Sequence, residues 1–91
     1  MTILWTSGAR SDLIAIFDYI ANDNPAAAAA LVDRVDEAVM RLEDHPGLGR
    51  PGRRAGTREL VIAGSSYIAV YRIRRDTVQV LRVLHGAQKW P

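Results

Sequence analysis

Apolar residues recur at helical spacing through the first half of the chain and at strand length through the second. Ile3, Leu4 and Trp5 read as a short first strand over residues 3–6. Ser7 then offers a helix N-cap, and Leu13, Ile16, Phe17 and Ile20 fall at i, i+3, i+4 and i+7. That is one apolar stripe on a helix running to about Asn22, with Asp12, Asp18 and Asp23 off the stripe. Asn24-Pro25 predicts a fresh start. Asparagine caps well, and proline suits the first helical position, where its missing N–H has no intrahelical partner to lose. The second helix sets Ala28, Leu31, Val32, Val35, Val39 and Leu42 on one face and ends before His45-Pro46-Gly47. So short a link predicts an antiparallel helical hairpin.

Residues 46–56 are rich in glycine and proline and read as a loop. Three strands follow, at about residues 58–63, 67–74 and 78–84. Gly64-Ser65 and Arg75-Asp76 supply tight turns between them, which makes the meander antiparallel. The central strand, Tyr67-Ile68-Ala69-Val70-Tyr71, is apolar on both faces, as expected in the middle of a sheet covered by helices. The fold class is therefore α+β in the order β-α-α-β-β-β, a helical hairpin packed on a mainly antiparallel, curved sheet. No repeat or linker divides it, so one domain over residues 1–91 is expected.

Composition narrows this picture. With 48% hydrophobic and 24% charged residues the chain is not a disordered one. It has no cysteine, hence neither a disulfide framework nor a thiolate metal site. The longest apolar run, residues 26–32, is too short and alanine-rich to span a bilayer. No basic segment precedes a long apolar stretch at the N-terminus, so no signal peptide is expected, and a cytoplasmic protein without membrane association is the expectation. The net charge of +2 conceals a polarity. Residues 1–44 carry three basic and eight acidic groups, a net −5, whereas residues 45–91 carry nine basic and two acidic, a net +7. Eleven of the twelve cations are arginine, suited to bidentate contacts with carboxylate or phosphate, so an acidic partner is implied.

Candidate chemistry is limited. His45 and His85 are the two histidines, and neither has a second ligand at metal-binding spacing; no metal or cofactor is expected. His45 reads as a partner for the C-terminal end of a helix. The glycines of residues 46–56 match neither a Walker nor a dinucleotide fingerprint, so a flexible basic loop is expected. Ser7, Ser11, Ser65 and Ser66 lack triad partners. The basic set is more informative: Arg50, Arg53 and Arg54 in the loop, Arg58 opening a strand, Arg72, Arg74 and Arg75 closing the next. Arg82 lies in the last strand, with His85, Lys89 and Trp90 beyond it. Such a sheet can bind RNA and cleave it without metal: a base deprotonates the 2′-OH, cations stabilise the phosphate, an acid protonates the leaving oxygen. Arginines on a small domain also serve simply as solvated or ion-paired surface, and composition leaves both readings open.

Several segments resemble one known family. They are Trp5 with Ala9 and Asp12-Leu13, Ile16 with Tyr19-Ile20, and Asn24-Pro25 with Ala27-Ala28. More specific are His45-Pro46-Gly47-Leu48-Gly49-Arg50-Pro51-Gly52, Gly56-Thr57-Arg58-Glu59-Leu60 and Tyr67-Ile68-Ala69-Val70-Tyr71-Arg72. Val80-Leu81-Arg82-Val83-Leu84-His85-Gly86-Ala87-Gln88-Lys89-Trp90-Pro91 completes them. In order and spacing the chain resembles the RelE/ParE superfamily of bacterial type II toxin–antitoxin toxins, and more closely its ParE-like, plasmid-stabilisation branch.

The resemblance implies a toxin silenced by a cognate, ParD-like antitoxin whose acidic C-terminal segment folds onto it. Promoter DNA would be bound only through that antitoxin. RelE-like members cut messenger RNA on the ribosome with basic residues of the meander and a C-terminal tyrosine or histidine. ParE-like members poison DNA gyrase and have largely lost that set. Here residues 67–70 hold no arginine or lysine, and Arg58, Arg82 and His85 remain as a partial set. The resemblance thus implies gyrase poisoning, with no enzymatic activity, ahead of a metal-independent, ribosome-dependent nuclease built on Arg58, Arg82 and His85. A member with another target or none is the third reading. Arg50, Arg53, Arg54, Arg58, Arg72, Arg74, Arg82, His85, Lys89 and Trp90 are the expected antitoxin- or target-binding residues.

Overall fold

The computed structural model describes residues 1–87; Lys89 and Trp90 of the expected binding set lie outside the described residues. The elements are β1 (Thr2–Trp5), α1 (Ser7–Ala21), α2 (Pro25–Met40), a 3-10 turn (Arg41–Glu43), β2 (Arg50–Pro51), β3 (Arg58–Val61), β4 (Tyr67–Arg74) and β5 (Thr77–His85). The strands form one sheet in the order β1-β5-β4-β3-β2. β1 runs parallel to β5, from Thr2 beside Thr77 to Trp5 beside Val80. The other neighbours are antiparallel. The fold is α+β, as expected, and the first strand makes the sheet a mixed one.

The cap of α1 is Thr6, not Ser7. The Thr6 hydroxyl accepts from Ala9 N at 3.2 Å and donates to Val80 O at 2.9 Å, so it joins helix start to sheet. Both residue types are good caps, serine slightly the better in isolation. Pairing of β1 with β5 decides between them, because it leaves Thr6 extended beside β5 and Ser7 already helical. At the second helix the expectation holds: Asn24 Oδ1 accepts from Ala27 N at 3.0 Å and Pro25 takes the first turn.

Ala9, with Leu13, Ile16 and Ile20, packs against Leu31, Val35, Ala38 and Val39 of α2 and against Ala69 and Val80 of the sheet. Phe17, placed on the same stripe by its spacing, remains 36% exposed. Val32 is half-buried. Leu42 reaches the core from the 3-10 turn, beside Tyr71 and Val78.

Ile68, Ala69, Val70 and Tyr71 are all buried, yet the helices cover only one face of β4. Side chains alternate along a strand, so Ala69 and Tyr71 meet the helix-side clusters while Ile68 and Val70 point the other way. There they cluster with Leu84. The burial of Ala69 and Tyr71 thus follows from the helices, as expected of a sheet covered by them, whereas Ile68 and Val70 form a separate cluster on the other face. A further irregularity matters for the site: Val70 opposes Arg82 while Tyr71 opposes Val80, which leaves Leu81 as a bulge. The bulge falls just past the last β1–β5 pair and re-aims the residues after it.

Candidate functional site

The loop motif starting at His45 is organised by one buried phenol. The Tyr71 hydroxyl donates to Pro46 O at 2.6 Å and accepts from Gly49 N at 2.8 Å. A Cβ on Gly49 would lie 2.6 Å from the Tyr71 ring, and one on Gly52 would lie 2.2 Å from Thr57 Oγ1, so close approach requires glycine at both. Arg58 Nη1 donates to Gly49 O at 2.8 Å. Burial pushes the Tyr71 phenol up, opposed by the Gly49 hydrogen bond and the Arg58 charge. Residues 46–52 are thus a fixed bend that ends in a two-residue edge strand, rather than the flexible loop expected. His45 follows the 3-10 turn, is exposed, and donates its backbone N–H to Arg41 O at 3.0 Å.

Glu59 is only 3% exposed and is the buried charge of the described core. Its carboxylate accepts from Arg50 Nη2 at 3.3 Å and from the Arg53 backbone N–H at 3.1 Å, and lies 3.4 Å from Arg53 Nε. Arg53 Nη2 continues to Gly86 O at 2.5 Å. Because β4 lies between β3 and β5, this guanidinium crosses above the Ile68–Val70–Leu84 cluster.

Arg82 is held by Asp12 of α1 through Nε to Oδ2 at 2.7 Å and Nη2 to Oδ1 at 3.1 Å. Asp12 Oδ2 also accepts from Val83 N at 3.0 Å, which satisfies the strand edge left open where β1 stops. The Asp12 hydrogen bond raises Arg82 further above its ordinary range, so it stays charged. Arg72 Nε donates to Gln79 Oε1 at 2.6 Å. His85 meets Tyr67 edge-on at 5.6 Å, and its Nδ1 accepts from Ala87 N at 3.3 Å. Arg74 is exposed at the end of β4, and Arg54 is exposed in the loop, where its carbonyl accepts from Thr57.

The arrangement gathers Arg50, Arg53 and Glu59, but it does not gather Arg58, Arg82 and His85. Arg58 pairs with Tyr71, on the helix side. Arg82 pairs with Val70, and its guanidinium turns to Asp12 of α1 at the open edge of β5. His85 pairs with Tyr67, four residues from Tyr71 and so about 13 Å along β4. A base, an acid and cations that act on one phosphate must all reach it within about 3 Å. Among the described residues, no three His, Asp or Glu side chains stand together to hold a metal, and no helix is long and apolar enough to cross a membrane.

Among the grooves of the described residues, two bear on the sheet edges. One, between α1 and the end of β5, has a volume near 270 Å³ and is lined by Tyr19, Tyr67 and His85. The other, between α2 and β3, is lined by Arg34, Glu37, Arg41, Leu48, Leu60 and Val61. Leu48 is 52% exposed, and Val61, which shares the face of its partner Ile68, is 54% exposed along the strand edge. Ile62 N donates to Tyr67 O, so the alternation of antiparallel pairing turns the backbone of Val61 outward. β2 covers β3 only at Arg58 and Glu59, leaving that part of the edge open. Sequence reading did not single out Asp12, Glu59, Tyr71 or Val61. Asp12, Glu59 and Tyr71 stand in segments that carry the family resemblance, and Glu59 is also one of two acids in the basic half, but no role for them could be read from that.

Known proteins share this organisation. The family described as ParE toxin of type II toxin-antitoxin system, parDE, matches residues 3–90. A relative named putative toxin Y4kP, from Sinorhizobium fredii, is 49% identical over 98% of this chain and 92% of its own length. A chain of the chromosomal ParDE TA system from P. aeruginosa superposes with a TM-score of 0.83 at 31% identity, covering 91% of this chain and 92% of that one. A chain of the toxin-antitoxin complex RelBE2 from Mycobacterium tuberculosis gives 0.64 at 32% identity, covering 92% and 95%. With the match running almost end to end and the fold held in common, the chain belongs to the ParE toxin family of type II toxin–antitoxin systems.

Proposed function

We propose that this toxin poisons DNA gyrase in the cytoplasm and is silenced by a cognate antitoxin seated along α2 and β3. The observation that carries the target is the disposition of the three residues left from a nuclease set. Arg82 is tied to Asp12, Arg58 is tied to the Gly49 carbonyl, and the two guanidinium groups are held at opposite edges of the β3–β4–β5 meander. They serve the fold and do not converge on a phosphate, which favours the ParE-like action over ribosome-dependent RNA cleavage. The higher TM-score against the ParDE chain than against the RelBE2 chain supports the same direction.

For the antitoxin, the α2–β3 groove offers exposed Leu48, an open strand edge at Val61, and two cations, Arg34 and Arg41, against one acid, Glu37. An amphipathic acidic segment suits all three features, burying apolar side chains while its carboxylates meet the arginines. That the chromosomal ParDE and RelBE2 structures are toxin–antitoxin systems supports such a partner here.

The test is to induce the chain without its antitoxin and follow DNA breaks and messenger RNA side by side. Growth arrest with stabilised gyrase–DNA breaks, inhibited supercoiling in vitro and intact RNA is the expected result. Ribosome-dependent cuts in messenger RNA would replace the gyrase reading with the nuclease one. Growth arrest with both gyrase and RNA intact would overturn both.

A further inference from the structure

We propose that Glu59 is a positioning residue: from beneath the basic loop it anchors Arg50 and Arg53, and through Arg53 it fixes the end of β5, so that loop and strand end act as one target-contacting surface. This rests on the reading that the basic residues meet a macromolecular target.

Glu59 stands on the face of the sheet away from the helices, opposite Val70 and beside the Ile68–Val70–Leu84 cluster. A carboxylate is a costly side chain at such a place, and an apolar residue would be as stable or more so. Packing alone does not account for it. What the carboxylate holds does: two guanidinium groups and one backbone N–H, a set that a neutral amide cannot satisfy. Arg50, Arg53, Arg54 and Arg58 crowd within nine residues, and Glu59 is the acid among them. From Glu59 the connection runs to Arg53 and on to Gly86 O, which is 33 residues from Arg53 in sequence and beyond the neighbouring strand. Gly86 N in turn donates to Ser66 O at 2.7 Å, which secures the residue that follows His85. The planar guanidinium spans both ends at once, whereas an ammonium is a single point of contact.

The experiment uses the full chain, separated from its antitoxin, as wild type, Glu59→Gln and Arg53→Lys. Amide hydrogen exchange at Gly86 and inhibition of gyrase supercoiling are measured on each. In both variants the Gly86 amide is expected to exchange at least tenfold faster while the amides of Val70 and Tyr71 keep wild-type rates. The half-inhibitory concentration is expected to rise at least fivefold, although Glu59→Gln removes no cation. Unchanged Gly86 exchange overturns the proposal, and so does faster exchange throughout the sheet, which marks a general loss of stability. An active wild type whose Glu59→Gln variant is equally potent overturns it too. If the wild type itself does not inhibit gyrase, the gyrase reading fails, and Gly86 exchange decides the positioning role by itself. Should Glu59→Gln not fold, Arg53→Lys carries the same comparison.

Discussion

Tyr71 shows how a side chain from the middle of the sheet sets the shape of a loop more than twenty residues earlier. Its ring fills the space that a Gly49 side chain would need, and its hydroxyl links Pro46 O with Gly49 N. Tyr71→Phe is expected to destabilise the fold by about 1–3 kcal/mol in urea denaturation, because it leaves a buried N–H without its acceptor. The pH dependence follows from the raised phenol. The fold favours the neutral form, so the unfolded chain ionises first, near its ordinary value of 10.0. Stability from this group is complete below that pH and falls as pH rises through the folded value. Melting measured across this alkaline range should therefore drop more steeply for wild type than for Tyr71→Phe. None of this was legible from Tyr71 itself, which in sequence is one more apolar-compatible residue of a strand.

At the scale of elements, the periodicities located both helices and all three meander strands, because each buries a face that repeats at its own spacing. Their junctions were less legible. Local preference slightly favours Ser7 as the cap, and only the docking of β1 beside β5 assigns it to Thr6. Thr6→Ala is expected to cost about 1–2 kcal/mol, through loss of both the cap and the Val80 contact. Ser7→Ala should stay within about 0.5 kcal/mol. Thermal melts of the two variants check this, and equal losses would refute the assignment. The β2–β3 pairing escaped a reading by composition, since glycine and proline mark a loop by local propensity. Arg50 and Pro51 become strand only because Glu59 and Arg58 lie opposite them.

For the whole molecule, the charge polarity has two uses. Part of it is internal: Asp12 from the acidic half holds Arg82 from the basic half, and so locks α1 to the end of β5. The rest faces outward, as at Arg74 and Arg75 of the basic half, while Arg34 and Arg41 of the acidic half border the open edge of β3. Val61 is 54% exposed there, so Val61→Asp should fold normally yet weaken binding of the antitoxin by about tenfold, by placing a carboxylate against an acidic, partly apolar segment. Calorimetric titration of the variant checks it. Unchanged affinity would place the antitoxin elsewhere.

The sequence by itself determined the element order, the hairpin, the strand meander and the family, because these follow from local periodicity, caps and the order of motifs. Tertiary structure decided which arginines are available. Arg82 and Asp12 are 70 residues apart, and Arg53 and Gly86 are 33 apart. Whether an arginine meets a carboxylate, a carbonyl or solvent depends on strand pairing, on the Leu81 bulge and on which face it occupies. Those are relations between distant segments, and no local pattern along the chain records them.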